Sequence, residues 1–340
     1  MVKAIIFLLI GFVLLVKGAD VFVDGSSSIA RKFGIPSIIV GLTIVAIGTS
    51  LPEAAVSISA AMKGSNEIAI SNVVGSNMFN ILVVLGLVSL IMTTKVGDDV
   101  LKRDFPICSL LIILMTAFVL DKVYAGEIIG KVNPFLFKNA NKKIGTIGRI
   151  EGLILLLIFV AFLIIAVVSA MKAIKNGSIS SDDDSDKKEV SMGLSVVYII
   201  VGIAAIKFGG DFVVDNARTI ALKLGMSETL VGLTIVAVGT SLPELVTSLV
   251  AITKGENDMA LGNVVGSNIA NVGFVIGASA LINPISCTMI SMINLLLTSI
   301  VTVVVFMCAK SKNVINRAEG FFSILLYGLF MAYSIIVAFA

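Results

Sequence analysis

Apolar residues run along this chain in long blocks separated by short polar or Gly/Pro-rich punctuation. Ten such blocks cover roughly residues 4–32, 37–62, 67–92, 105–121, 150–172, 192–222, 228–253, 258–282, 286–309 and 318–339. About 20 apolar residues in a helix cross the hydrocarbon core of a bilayer. A membrane strand needs only about 9–11 and alternates in polarity. These blocks are longer and do not alternate, which predicts an all-α polytopic membrane protein of ten transmembrane helices. The first block lacks the small-residue cleavage site of a signal peptide and reads as a helix of the mature chain.

Two stretches interrupt the pattern. Residues 122–149 carry Lys122, Lys131, Lys138, Lys142, Lys143 and Arg149 and are expected as an extramembrane loop. Residues 176–190, with Asp182, Asp183, Asp184 and Asp186, form an acidic linker. The linker lacks the Gly and terminal Glu of an EF-hand loop, so no Ca2+ site is read there. The expected organisation is a first five-helix repeat over 1–175, the linker over 176–190, and a second five-helix repeat over 191–340.

An internal repeat carries that division. Gly41–Glu53 reads G-L-T-I-V-A-I-G-T-S-L-P-E, and Gly232–Glu244 reads the same with Val238 in place of Ile47. The same offset of 191 carries Asn72–Asn77 (N-V-V-G-S-N) onto Asn263–Asn268, Asn80 onto Asn271, Asp20 onto Asp211 and Asp24 onto Asp215. Five helices separate the copies. Five is odd, so matched helices cross the bilayer in opposite senses: an inverted-topology repeat, with its two motifs expected face to face near mid-membrane. Lys and Arg sort the loops. With the N-terminus outside, thirteen fall in inside loops, against four in outside loops and six more in 122–149. Both termini are therefore expected outside and the linker in the cytoplasm.

Composition narrows the chemistry. Of 340 residues, 57% are hydrophobic and 14% charged, and mean hydropathy is +1.08. Charged residues make up about 25% of a soluble domain, so a soluble enzyme is excluded. There is no histidine, which removes imidazole metal sites and Ser-His or Cys-His catalysis. Cys108, Cys287 and Cys308 lie in apolar runs without metal spacing and read as small hydrophobes. A net charge of +3 gives no basis for nucleic-acid binding. Nothing in the sequence calls for a cofactor or an obligate protein partner; the bilayer is the expected surrounding.

Each motif copy puts Gly-Thr-Ser-Leu-Pro-Glu inside an apolar helix. Pro52 and Pro243 lack an N–H and clash with the preceding turn, so both helices should kink there, freeing carbonyls such as those of Ala46 and Ala237. Glu53 and Glu244 are carboxylates at membrane depth, and such residues are functional by default. No Lys or Arg lies on the same stretch of helix; Lys63 and Lys254 are expected to reach for the interface. Asp20, Asp24, Asp211 and Asp215 are expected at solvated helix ends. A lone buried glutamate could stay protonated on freed backbone groups, but two copies related by inversion favour a cation site. Thr49, Ser50, Thr240 and Ser241 add hydroxyl oxygens. Ser76 with Asn80, and Ser267 with Asn271, share a helix face at i,i+4, beside Asn77 and Asn268. The other reading of these is interhelical hydrogen bonding, with Gly75 and Gly266 serving close packing. Oxygen ligands without thiolate or imidazole suit hard cations such as Ca2+ and Na+.

The paired G-T-S-L-P-E and N-V-V-G-S-N strings resemble the two alpha repeats of the cation/calcium exchanger superfamily, and the resemblance covers all ten helices. It implies a core of helices two, three, seven and eight, with helices one and six as a tilted gating pair. It also implies Glu53 and Glu244 as shared Ca2+/Na+ ligands. Thr49, Ser50, Ser76, Thr240, Ser241 and Ser267 would add oxygens, Asn80 and Asn271 would complete the site, and the Ala46 and Ala237 carbonyls would serve Na+. Potassium-dependent relatives carry Asp where this chain has Asn271, which favours K+ independence. Proton-coupled relatives usually carry a Gly-Asn-Ala-x-Glu type of motif, so the Thr-Ser version is similar to the sodium-coupled branch. The expectation is a compact sodium/calcium antiporter, not an enzyme, exporting Ca2+ by alternating access. A proton/cation antiporter on the same scaffold and a cation channel are the alternatives. An intramembrane protease is disfavoured, since no Lys neighbours Ser50 or Ser241.

Overall fold

The computed structural model describes residues 1–121, 143–175, 190–231, 234–235 and 237–339. The acidic linker but for Val190, most of the 122–149 loop, and Gly232, Leu233 and Val236 of the second motif lie outside the described residues. The fold is mostly helical. Helix α1 (Val2–Phe33) ends where Gly34 turns left-handed (φ 64°) and its N–H bonds back to Ala30 O and Arg31 O. Pro36 then starts a new segment: α2 (Ser37–Val40), a π-helical turn (Gly41–Val45) and α3 (Ala46–Thr49). After Ser50 the chain bends by 47° into α4 (Leu51–Met62). Then come α5 (Asn66–Phe79), a π-helical turn (Asn80–Val84), α6 (Leu85–Ile91), β1 (Thr94–Lys95), a third π-helical turn (Val100–Asp104) and α7 (Phe105–Asp121). Strand β2 (Lys143–Ile147) and α8 (Arg149–Lys175) close the first half.

The second half follows. It runs α9 (Met192–Lys223), α10 (Glu228–Val231), α11 (Ala237–Gly239), α12 (Leu242–Thr253), α13 (Asn257–Ala270), a π-helical turn (Asn271–Ile276) and α14 (Gly277–Ile282). Then follow β3 (Ile285–Thr288), α15 (Met289–Lys312), β4 (Val314–Ile315) and α16 (Arg317–Phe339). Among the described residues, eight helical stretches are long and apolar enough to cross a membrane, nine if the bent pair across Ser50 is one span. The block at 228–253 is divided among α10, α11 and α12, and α12 has only 12 residues. The four short strands are an addition to the all-helical expectation.

The chain divides into two compact units, Met1–Leu51 with Ala161–Ser267, and Pro52–Val160 with Asn268–Ala340. Each draws on both halves of the sequence. In the first, α1 and α9 lie antiparallel in close contact, Gly11 facing Val213 and Gly25 facing Ser195. A Cβ on Gly18 would stand 2.8 Å from Ile206 N, and one on Gly209 would stand 2.5 Å from Leu15 N, so only glycine allows this approach. The turn after α12 is tied to α1. Lys254 Nζ reaches Asp20 Oδ1 (2.7 Å) and Asp24 Oδ1 (2.6 Å), and Arg31 reaches Glu256 (3.2 Å). Asp20 and Asp24 are thus not at a helix end, because α1 continues to Phe33. Asp211 likewise sits within α9, paired with Lys207 (2.6 Å).

In the second unit, β1 pairs antiparallel with β4 and β2 with β3. Lys143, in β2, also pairs with Glu67 (3.5 Å). Aromatic contacts lock neighbouring helices: Phe79 lies edge-on to Tyr327, and Phe105 stacks on Phe306. Cys287, in β3, is buried, which pushes its thiol pKa up to about 12, as a small hydrophobe requires.

Burial separates two kinds of helix. In the apolar windows of the spans Glu67–Ile91 and Asn257–Ile282, 72% and 78% of residues are buried. The share is 28% in α8 and 6% in α16, whose outward Leu, Ile and Phe side chains suit contact with lipid tails. Ser76, Asn77 and Asn80, with Ser267, Asn268 and Asn271, lie on the buried kind.

Candidate functional site

Both proline motifs begin a new helix. Ser50 (φ −82°, ψ 4°) and Ser241 (φ −94°, ψ 5°) interrupt the helical backbone in the same way. Pro52 and Pro243 then occupy the first turn, where a missing N–H costs nothing. Glu53 and Glu244 fall in that same first turn, at the positive end of the helix dipole, which favours a carboxylate. The string Ser-Leu-Pro-Glu has the spelling of a capping box, Ser-x-x-Glu. Ser241 nevertheless makes no side-chain cap bond, and Ser50 spends its hydroxyl on a different carboxylate.

In the first unit, Ser50 Oγ donates to Glu244 Oε1 (3.1 Å), and Glu244 is fully buried. Its second oxygen, Oε2, has no hydrogen-bond partner among the described residues. Thr49 Oγ1 lies 3.0 Å from Asn263 Oδ1 and 3.3 Å from both Ala46 O and Ser267 Oγ. Ser267 Oγ in turn reaches Ala46 O (3.4 Å). The Ala46 carbonyl therefore keeps protein partners, the helical bond from Ser50 N (3.0 Å) included. Gly266 lets α13 approach this segment; a Cβ there would stand 2.6 Å from Leu42 O. Its match Gly75 meets nothing within 4 Å among the described residues, which leave out Leu233, the counterpart of Leu42.

In the second unit, Ser76 Oγ donates to Glu53 Oε1 (3.1 Å), and Glu53 is fully buried. Asn271 Nδ2 donates to Ser76 Oγ (3.2 Å) and Asn77 Oδ1 (3.0 Å). Asn80 Nδ2 donates to Asn268 Oδ1 (3.1 Å). Asn77 and Asn268 each donate to the other's backbone carbonyl (3.4 and 3.3 Å). These bonds consume the amide N–H groups and fix which way each amide points. The carbonyl oxygens of Asn80 and Asn271 are left buried without a partner among the described residues. Both asparagines also open a π-helical turn, a local widening common at functional sites.

Of the residues singled out in the sequence, Thr49, Ser50, Glu244, Ser267 and Ala46 come together in the first unit, and Glu53, Ser76, Asn80 and Asn271 in the second. Ser241 is buried at its helix break, Thr240 is partly buried beside it, and Ala237 opens α11. Among the described residues, no three Asp, Glu, Cys or His side chains gather as an acidic metal cluster. The sequence reading passed over Asn72 and Asn263, whose amides bond the backbone carbonyls of Glu53 and Glu244 (3.3 and 3.2 Å). Their signal was visible: Asn72, Ser76 and Asn80 are spaced four apart on one face, as are Asn263, Ser267 and Asn271.

Buried helices with polar faces inside an apolar, multiply spanning chain define a membrane protein that handles ions. The sodium/calcium exchanger protein family matches residues 3–168 and 194–336, and the chain belongs to that family. The putative antiporter CaxA of Alkalimonas amylolytica is 39% identical over 285 residues, 84% of this chain and 82% of its own. Sodium/calcium exchanger MaX1 of Methanosarcina acetivorans is 34% identical over 297 residues, 84% of this chain and 85% of its own. A solved structure of the sodium-calcium exchanger NCX_Mj, soaked with Na+ and Ca2+, matches with a TM-score of 0.76 at 31% identity, covering 98% of both chains.

Proposed function

We propose that this chain is a sodium/calcium antiporter that exports Ca2+ in exchange for Na+ by alternating access, without a need for K+. The observation that carries the reading is the polarity of the buried motif residues. Their N–H groups are spent on protein partners, while Glu244 Oε2, Asn80 Oδ1 and Asn271 Oδ1 keep open lone pairs. A buried set of open oxygens is the environment of a hard cation. Glu53 and Glu244 supply the negative charge. Thr49, Ser50, Thr240, Ser241, Ser76, Ser267, Asn80 and Asn271 supply neutral oxygens, and the Ala46 and Ala237 carbonyls take part with Na+. Two carboxylates balance one Ca2+ or two Na+, so the ions compete, and a third Na+ would make exchange electrogenic.

The reading includes ten crossings in two inverted repeats of five, 1–175 and 191–340, with both termini outside and the 176–190 linker cytoplasmic. Three observations support it. Helices α1 and α9, the first of each repeat, run antiparallel. Arg31 and Glu256, in loops given the same side, form an ion pair. Strand pairs β1–β4 and β2–β3 each join loops given one side.

The test is radiolabelled Ca2+ uptake into proteoliposomes. A Na+ gradient at clamped pH is expected to drive uptake whether or not K+ is present. Uptake driven by a pH gradient alone would replace this reading with proton exchange.

A further inference from the structure

We infer that Asn263 and its counterpart Asn72 are positioning residues, which hold the proposed carboxylate ligands and a hydroxyl ligand in ion-ready orientation without touching the ion. The inference rests on the reading of Glu53, Glu244 and Thr49 as ligands. It starts from a contrast among buried asparagines. Asn271 and Asn80 spend their N–H groups and keep an open carbonyl oxygen. Asn263 is committed at both ends. Its Nδ2 donates to Glu244 O (3.2 Å) and Ser248 Oγ (2.9 Å), while its Oδ1 accepts from Thr49 Oγ1 (3.0 Å) and Ser267 Oγ (3.5 Å). A carbonyl oxygen has two lone pairs; Thr49 takes one and the Ser267 hydroxyl covers the other, so Asn263 faces protein groups on both sides and turns no open oxygen toward a cation.

Its bonds bear on the groups that do. The Glu244 backbone is pinned one turn from the Ser241 break, where the helix is otherwise least restrained. The Nδ2 group lies between two acceptors, so the amide cannot flip. Thr49 therefore always faces an acceptor oxygen. A hydroxyl has one proton and two lone pairs. With the proton directed at Asn263, the lone pairs of Thr49 are turned outward, as a cation ligand requires. A donor in place of Oδ1 would reverse that orientation.

The second unit repeats the amide contacts with matching distances. Asn72 Nδ2 donates to Glu53 O (3.3 Å) and to Ser57 Oγ (3.0 Å), and Ser57 is 191 residues before Ser248. Ser57 and Ser248 are both buried. The same amide thus bonds the same carbonyl and a hydroxyl four residues on, in both copies. Interhelical bonding alone does not need the carboxylate-bearing residue itself to be the acceptor each time.

The test compares Asn263→Ala, Asn72→Ala, Ser248→Ala and Ser57→Ala in proteoliposomes with the unmodified chain. It reads half-saturating Ca2+, maximal rate, and the melting midpoint in detergent with and without Ca2+. Each asparagine variant is expected to raise half-saturating Ca2+ about tenfold (about 1.4 kcal/mol) and to weaken Ca2+-induced stabilisation. The ion-free melting midpoint should stay within a few degrees. Each serine variant leaves the Glu carbonyl bond in place and is expected to shift half-saturation less than about threefold, below a full hydrogen bond's worth. Should Asn263→Ala fail to insert, Asn72→Ala makes the same test on the other glutamate. A lowered ion-free midpoint with unchanged half-saturation would overturn the inference in favour of a purely structural role. Absence of Na+-driven uptake by the unmodified chain would remove the exchange reading, and this inference with it.

Discussion

Glu244 and Glu53 occupy matched places in the sequence, and each is held in two ways, by a serine hydroxyl at its carboxylate and by an asparagine amide at its backbone. Ser50, at the helix break of the first motif, donates to Glu244. Ser76, one turn past Asn72 on α5, donates to Glu53. Ser267, the counterpart of Ser76, lies among Ala46 O, Thr49 and Asn263. The backbone of each glutamate is held by an amide. The two holds differ in the freedom they leave. A hydroxyl turns about one bond and exchanges partners at little cost, whereas an amide fixed between two acceptors cannot turn. A fixed backbone with turnable hydroxyls around the carboxylate is thus found at both glutamates. This suits a transporter whose site must take ions of different charge and number.

The comparison breaks most clearly at the carboxylates. Glu53→Gln and Glu244→Gln each leave neutral oxygens where a cation's counter-charge is required. Each should lower Ca2+ transport about a hundredfold or more, the equivalent of about 3 kcal/mol, while the protein still inserts and purifies as one species. Near-normal flux in either variant would take that glutamate out of the site. The hydroxyls come next. Ser50→Ala and Ser76→Ala each remove a hydrogen bond to a carboxylate oxygen, and each should weaken Ca2+ transport about tenfold. Ser267→Ala removes a hydroxyl shared among Ala46 O, Thr49 and Asn263 and should have the smaller effect when half-saturating Ca2+ is measured for all three. Asn271→Asp is the mildest. It keeps the open oxygen, adds charge, and should shift the relative preference for Na+ and Ca2+ in competition assays with little change in melting midpoint.

Much of this was legible in the sequence, because the site is written twice. The repeated string located Glu53, Glu244 and their hydroxyl neighbours, and the two prolines located the helix breaks. The same string contained Asn72 and Asn263, but sequence does not distinguish an amide saturated at both ends from one with an open oxygen. That distinction depends on partners such as Thr49, 214 residues from Asn263. The π-helical turns at Asn80 and Asn271 were hidden for another reason. In uniformly apolar helices no periodicity separates a wide turn from an ordinary one. Asp20 and Asp24 were misjudged as helix ends because a carboxylate in an apolar block resembles a boundary. Their partner, Lys254, comes from a turn 230 residues beyond Asp24. Short strands such as β1 and β4 gave no signal, being two residues each and paired across most of the chain.

The central claim is that these oxygens carry Ca2+ against Na+. Its most direct measurement is Ca2+ flux in proteoliposomes containing the purified, unmodified chain, with pH clamped and K+ either present or absent. The account predicts uptake that requires a Na+ gradient, saturates with Ca2+, is competed by Na+ on the Ca2+ side and is indifferent to K+. Ca2+ uptake that ignores the Na+ gradient would contradict it.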